Sequence, residues 1–447
     1  MMKAKKWIAL FLTAAMAAGL TACGSTGSSA SDTEKTQAAD TQKADTESAS
    51  AETETGSTGF TPALDTDLTA TINVYGSWGN FEALDQAAAD FQTYYPNVEV
   101  VYSQFSDEHS DLANKCATGL DIDIFLITWW NPEYTASEGL QMDLENVKTY
   151  AENYADAGID LTNLDAELLK SGQVDGEQLL IPLYTASCGY IVNLDILDAN
   201  GIEVPTTYAE LQTCLAQLEE AGYDEPLYVN SGHLAKSYMG DYMDRILAGE
   251  DRETALKNCL ADAQALYDTG YLNMEGDTLD DNYEALLLRF FEGDVPMISA
   301  SNATYSGAAK REAKSDAFTE NPFSYAYIPA TFDESKASYT LQVGSMYMGI
   351  YKDSEQLDLD NEFVRFLLTD ETMLTLEQIK HMSTANVNNG TSEFPYQTTD
   401  KTTYCAAATD GISVMDEQVF SDCVAAYTIG GDTADALQVF ADFADTP

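Results

Sequence analysis

Apolar positions along residues 69–102 change period twice. In TATINVY (69–75) they alternate, which puts Ile72 and Val74 on one face of a strand. Leu84, Ala87, Ala88 and Phe91 then recur at spacings of three and four, so one face of a helix carries all four. VEVVY (98–102) returns to strand character, and DIFLI (123–127) is a short apolar run of the kind that fills a buried strand. Further on, Thr207 and Glu210 form a capping box ahead of Leu211, Leu215 and Leu218, with a stop at Gly222. Strands alternating with helices predict an α/β protein, each sheet flanked by helices. No internal repeat is visible.

The first 59 residues read differently. Lys3, Lys5 and Lys6 precede the apolar run WIALFLTAAMAAGL, which suits the core of a signal peptide and is too short and Ala-rich for a spanning helix. The run ends in Leu20-Thr21-Ala22-Cys23, which resembles the lipobox of bacterial lipoproteins. That resemblance implies cleavage after residue 22 and diacylglyceryl transfer to the Cys23 thiol, an anchor of several acyl chains. Residues 24–59 contain no aromatic or branched aliphatic side chain and cannot offset the entropy of ordering, so 23–59 is expected to be a disordered tether. A flexible chain of that length spans roughly 30 to 36 Å.

Charge narrows the partners. With 74 Asp plus Glu against 21 Lys plus Arg, the net charge is -53. Such a chain repels nucleic-acid phosphates and anionic lipid, so the membrane is reached through the anchor alone. Beyond Cys23 there are six cysteines, Cys116, Cys188, Cys214, Cys259, Cys405 and Cys423, dispersed among apolar neighbours and without a CxxC pair. Buried thiols are expected rather than a disulfide framework.

Catalytic signatures are scarce. The chain has no GxSxG, HExxH, GxGxxG or GxxxxGK[ST] motif, and His109, His233 and His381 lack metal-ligand spacing. Acidic pairs such as Asp280 and Asp281 arise by chance among 74 acids. No enzyme activity, metal or cofactor is expected. Aromatic placement says more: Trp78, the Trp129-Trp130 pair, Tyr184 and Tyr305 each fall just past an expected strand, where open α/β sheets bind their ligands. Flat aromatic faces suit the C–H faces of a sugar ring, with Asn, Ser and Tyr groups serving its hydroxyl edge. None of those four loops carries Lys or Arg, which disfavours an anionic ligand and leaves an organic cation open.

The stretches INVYGSWGN, ATGLDIDIF, DGEQLLIPLYTASCGYIVNLDILDANGIEVPTTYAELQTCLAQL, FFEGDVPMISA and LDLDNEFVRFLLTDETM occur in the order of the family 1 extracellular solute-binding proteins of ABC importers, which the chain resembles over about 68–445. The resemblance implies a two-lobed periplasmic-binding fold of type II, with hinge crossovers and a solute closed between the lobes. Lobe one is expected at 60–184 plus 302–397 and lobe two at 185–301 plus 398–447. Trp78, Asn80, Trp129 and Trp130 would line lobe one's rim; Tyr184, Ser187, Asn302 and Tyr305 would lie near the crossovers, and His233 would face them from the loop 231–233. Trp78, Gly79, Trp129 and Trp130 stand where the family's maltose binder uses acids and a basic residue, so maltose specificity is not carried over. Tyr94 and Tyr95 fall in a helix-ending segment away from the cleft, which argues against iron. The expected function is capture of a sugar or short oligosaccharide and its delivery, by a monomer held at the outer face of the cytoplasmic membrane, to the permease subunits. The same fold binding a polyamine or peptide-like solute, and a secreted carbohydrate-active enzyme, stand as alternatives.

Overall fold

The computed structural model describes residues 59–76, 81–104, 112, 115, 118, 122–127, 154, 157–170, 172–174, 177–178, 180–230, 233, 245, 249–273, 282–330, 341–351, 353–389 and 402–403. In chain order the elements are β1 (Ala70–Gly76), α1 (Phe81–Gln92), β2 (Val98–Gln104), β3 (Ile124–Ile127), α2 (Ala166–Lys170), β4 (Gln173–Val174), β5 (Glu177–Gln178), β6 (Ile181–Ala186) and β7 (Cys188–Asn193). There follow α3 (Leu194–Ala199), α4 (Tyr208–Glu220), β8 (Leu227–Tyr228), α5 (Arg252–Tyr267), β9 (Leu272–Asn273), α6 (Asn282–Phe290) and β10 (Met297–Ser301). The last are α7 (Asn302–Ser306), α8 (Ala308–Glu312), α9 (Asp316–Glu320), β11 (Tyr325–Pro329), β12 (Leu341–Ile350), α10 (Leu357–Leu367), α11 (Asp370–Lys380) and β13 (Thr402–Thr403).

Among the described residues these strands build two mixed sheets, one per lobe, and a two-stranded antiparallel ribbon of β4 and β5. The first runs β13-β12-β3-β1-β2, with β6 also paired to β12; β1 is parallel to both β2 and β3, while β12 is antiparallel to β3 and β6. The second runs β11-β7-β10-β8-β9. Sheet membership differs from the expected partition at two places. Tyr325–Pro329 pairs with β7 in the second sheet, although the sequence reading grouped 302–397 with the first lobe. Thr402–Thr403 pairs with the start of β12 in the first sheet, although 398–447 was grouped with the second. Both differences come from strand pairing between segments distant in the chain, which local apolar pattern does not encode.

Local rules explain the helices. On α1, Leu84, Ala87, Ala88 and Phe91 are all buried, and Phe91 packs against Phe363 of α10 with ring centroids 5.0 Å apart. On α4, the Thr207 hydroxyl accepts from the Glu210 N–H while the Glu210 carboxylate accepts from the Thr207 N–H, and Leu211, Leu215 and Leu218 are buried. The helix ends at Glu220 and Gly222 follows with φ +100, a left-handed conformation that a side chain would disfavour. In β12, Gly349 is required by packing: a Cβ there would stand 2.2 Å from Cζ of Phe125 in β3.

Beneath the first sheet, Glu362 is buried and accepts from the Tyr95 hydroxyl at 2.5 Å and the Ala63 N–H at 2.7 Å, while Arg365 pairs with it at 2.7 Å. Burial, then this hydrogen bond, pushes the Tyr95 phenol up to about 12. That placement at the base of the lobe gives Tyr95 a structural role. The second lobe's core is aromatic, with Phe290, Phe291, Phe318, Phe323 and Tyr325 in mutual edge contact at 5.0 to 6.4 Å. Cys214 is a free thiol, and burial pushes it up to about 12.

Candidate functional site

The chain passes from the first sheet to the second through one residue. Ser187 lies between β6 and β7, and β10 of the second sheet runs straight into α7 at Asn302. These two points are stitched together. The Asn302 Oδ1 accepts from the Ser187 N–H at 3.1 Å, its Nδ2 donates to the Thr185 carbonyl at 2.8 Å, and its own N–H donates to the Ser187 carbonyl at 3.0 Å. Asn302 is fully buried, so its amide is committed to the backbone on both sides of the crossover. A second tie comes from the other flank, where the Thr185 N–H donates to the Ser383 carbonyl at 2.9 Å and the Ala385 N–H to the Leu183 carbonyl at 2.9 Å.

Ser187 also reaches into the second lobe, where its hydroxyl lies 3.0 Å from the hydroxyl of Tyr327 on β11. Tyr305, half-buried on α7, packs on Tyr327 and Tyr325 with centroids 6.1 and 5.9 Å away. Ser187, Asn302 and Tyr305 are thereby brought to one place. Desolvation holds the Tyr327 phenol well above its usual value, which keeps it a neutral donor or acceptor. Tyr327 was missed by the sequence reading, although YAYIP (325–329) puts Tyr325 and Tyr327 on one face of a strand.

His233 sits deeper, 3% exposed, beyond β8. Its N–H donates to Asn230 Oδ1 at 3.2 Å, and its ring Nδ1 lies 3.2 Å from the Ser299 carbonyl. A carbonyl only accepts, so Nδ1 carries a proton in this contact. The Ser299 hydroxyl in turn accepts from the Asn230 N–H at 2.8 Å, which ties the histidine to β10 and through it to Asn302.

Tyr184 departs from expectation. It lies inside β6, opposite Met346 of β12, bridges to Thr384 on its other edge, and is 1% exposed within the first lobe's core. The sequence reading ended its strand at Leu183; pairing with β12 and with 383–385 carries the strand on to Ala186. Tyr184 therefore lies close to the crossover, as expected, but as a core residue rather than one past the end of its strand. Trp78, Asn80, Trp129, Trp130 and Cys23 lie outside the described residues, as does the loop 231–232. Among the described residues, no group of three or more His, Cys, Asp or Glu could hold a metal ion, and no helix is long and apolar enough to cross a membrane.

Two sheets joined by a one-residue crossover at Ser187, with a polar and aromatic seam beside it, define the architecture of a two-lobed binding protein. Solved structures bear this out at the level of fold. The chain is similar to apo RafE from Streptococcus pneumoniae at TM-score 0.61 and 14% identity, over 86% of this chain and 98% of that one. It is similar to the cyclic alpha-maltosyl-1,6-maltose binding protein of Arthrobacter globiformis at TM-score 0.56 and 17% identity, over 83% and 97%. It also resembles a Bacillus licheniformis sugar transporter in complex with stachyose, at TM-score 0.55 and 16% identity, over 83% and 98%. No curated protein matches the chain significantly. Residues 75–374 match the model of the bacterial extracellular solute-binding proteins, and the chain belongs to that family.

Proposed function

We propose that this protein is the substrate-binding component of an ABC importer, capturing a sugar or short oligosaccharide between its lobes and handing it to the permease. The observation that carries the reading is family membership over 75–374. Its sugar specificity is supported by the structural neighbours, whose descriptions name raffinose, stachyose and a cyclic maltosyl-maltose. Trp78, Trp129 and Trp130 supply the stacking faces in this reading, with Asn80 at the hydroxyl edge; half-buried Tyr305 stands on the second lobe, over the buried Tyr327. Ser187 acts as the hinge, with Asn302 holding its crossover while the lobes rotate, and ligand contacts to both lobes favour the closed population.

The partition that fits the strand pairing gives lobe one 60–186, 341–389 and 402–403, and lobe two 187–330. Cys23 carries the acyl anchor, and 24–59 tethers a monomer outside the cytoplasmic membrane. Isothermal titration with neutral oligosaccharides of two to four units tests the reading. One-to-one binding to a sugar is expected; a response to polyamines or peptides with none to sugars would overturn it. Mass spectrometry of the mature N-terminus tests the anchor, and an unmodified Cys23 would remove it.

A further inference from the structure

The chain ahead of β1 is fastened to the first lobe. Phe60 is 9% exposed and sits among Phe91, Tyr94 and Phe366, with ring centroids 6.2, 5.0 and 5.2 Å away. The Arg365 guanidinium of α10 lies over the Phe60 ring, 4.4 Å from its centroid, and donates to the Thr61 carbonyl at 2.7 Å. Two residues on, the Ala63 N–H donates to Glu362 at 2.7 Å and the Leu64 N–H donates to the Tyr95 hydroxyl at 3.3 Å. Tyr95 and Arg365 each donate to the Glu362 carboxylate as well, so one buried acid gathers the set.

These contacts lie at the end of lobe one remote from the crossover. α1 joins the parallel strands β1 and β2 and so runs back against them, which carries Phe91, Tyr94 and Tyr95 to the strands' amino ends. The Val98 N–H, opposite Ala70 at the start of β1, donates to the Tyr95 carbonyl at 3.0 Å. β6 shares the direction of β1, because β12 is antiparallel to β6 and β3 while β3 is parallel to β1. It therefore reaches Ser187 at the carboxyl ends of the strands. A strand of seven residues such as β1 spans roughly 20 Å, which separates the fastening from the hinge. Phe91, Tyr95, Glu362 and Arg365 all belong to lobe one, so rotation about Ser187 leaves the fastening intact.

The sequence supplies a use for it. Residues 24–59 contain no Phe, Tyr, Trp, Leu, Ile, Val or Met, so Phe60 and Leu64 are the first large apolar side chains after Cys23. Proteases with an apolar pocket cut beside such side chains where the chain is accessible. Phe60 is buried, and half-buried Leu64 packs on the first lobe's core. We propose that residues 60–64 are a clasp that fixes the tether's exit on lobe one, away from the hinge, and withholds the residues at which such a protease would cut the body from its anchor. The clasp rests on the contacts above, and its bearing on retention at the membrane rests on the acyl anchor proposed for Cys23.

Limited digestion of the purified protein with chymotrypsin, followed by N-terminal sequencing of the fragments, tests it. The parent should resist cutting after Phe60 and Leu64. Arg365→Met combined with Tyr95→Phe should be cut there at least tenfold faster, while its other cuts keep the parent's rate. Equal rates at Phe60 and Leu64 in parent and variant, fast or slow, overturn the clasp. A variant in which every cut accelerates has lost its fold, and hydrogen exchange of the Ala63 and Leu64 amides in the parent then decides. Exchange at least tenfold slower than in a peptide of residues 59–69 supports the clasp, and equal exchange overturns it. None of these outcomes depends on whether Cys23 is acylated, which mass spectrometry reads separately.

Discussion

Asn302 and Ser187 hold each other twice: the Ser187 N–H donates to the Asn302 side chain at 3.1 Å, and the Asn302 N–H donates to the Ser187 carbonyl at 3.0 Å. One residue sits where the chain enters the second sheet and the other where it leaves that sheet's β10. The relationship makes the crossover a polar hinge whose buried amide is already satisfied.

Removing the hinge amide should be costly. Asn302→Leu would leave the Ser187 N–H and the Thr185 carbonyl without their partner in a buried setting. The expected loss is about 2–4 kcal/mol in urea unfolding. A variant as stable as the parent would show that water replaces the amide freely.

Asp360 should behave in the opposite sense. It is 0% exposed, neither carboxyl oxygen has a hydrogen-bond partner, and burial, reinforced by the charge of Asp123, pushes its carboxyl from 3.8 to about 8. The folded state therefore holds a proton that the unfolded chain releases. Stability from this group is full below pH 4 and is lost as pH rises through about 8. The ceiling is on the order of 5 kcal/mol. Asp360→Asn should accordingly match the parent near pH 4 and exceed it by about 2 kcal/mol or more at pH 9, measured by denaturant unfolding across that range. A gain that is the same at both pH values would remove the buried-acid explanation.

Gly349 tests packing. With its Cβ position 2.2 Å from the Phe125 ring, Gly349→Ala should cost about 1–3 kcal/mol, and pairing it with Phe125→Leu should recover part of that loss. Strict additivity of the two changes would show that the rings and backbone relax elsewhere.

The aromatic residues should divide by role. Tyr184→Ala should destabilise the first lobe by about 3–5 kcal/mol, as for a large core side chain. Trp129→Ala and Trp130→Ala should instead weaken sugar binding at least tenfold, about 1.4 kcal/mol, with little change in melting temperature. Should both Trp variants melt early, they belong to the core and the platform is elsewhere.

Much of the fold was legible where the rules are local. Strands at 69–75, 98–102 and 123–127 appear within two residues of β1, β2 and β3, and the stripe on α1 and the capping box on α4 are as read. Those features depend on side-chain period and on groups three or four residues apart. Tyr184 was misread because its strand's end is set by β12, more than 150 residues away in the chain, and not by anything near IPLY. The same holds for Tyr325–Pro329, whose lobe is decided by pairing with β7.

The central claim, a sugar held between two lobes, is tested most directly by titrating the purified protein, freed of its leader, with neutral and acidic oligosaccharides in a calorimeter. The account predicts saturable binding of one sugar per chain, abolished or weakened at least tenfold by Trp129→Ala. Silence across every sugar, together with a clear isotherm for a polyamine or a peptide, would contradict it.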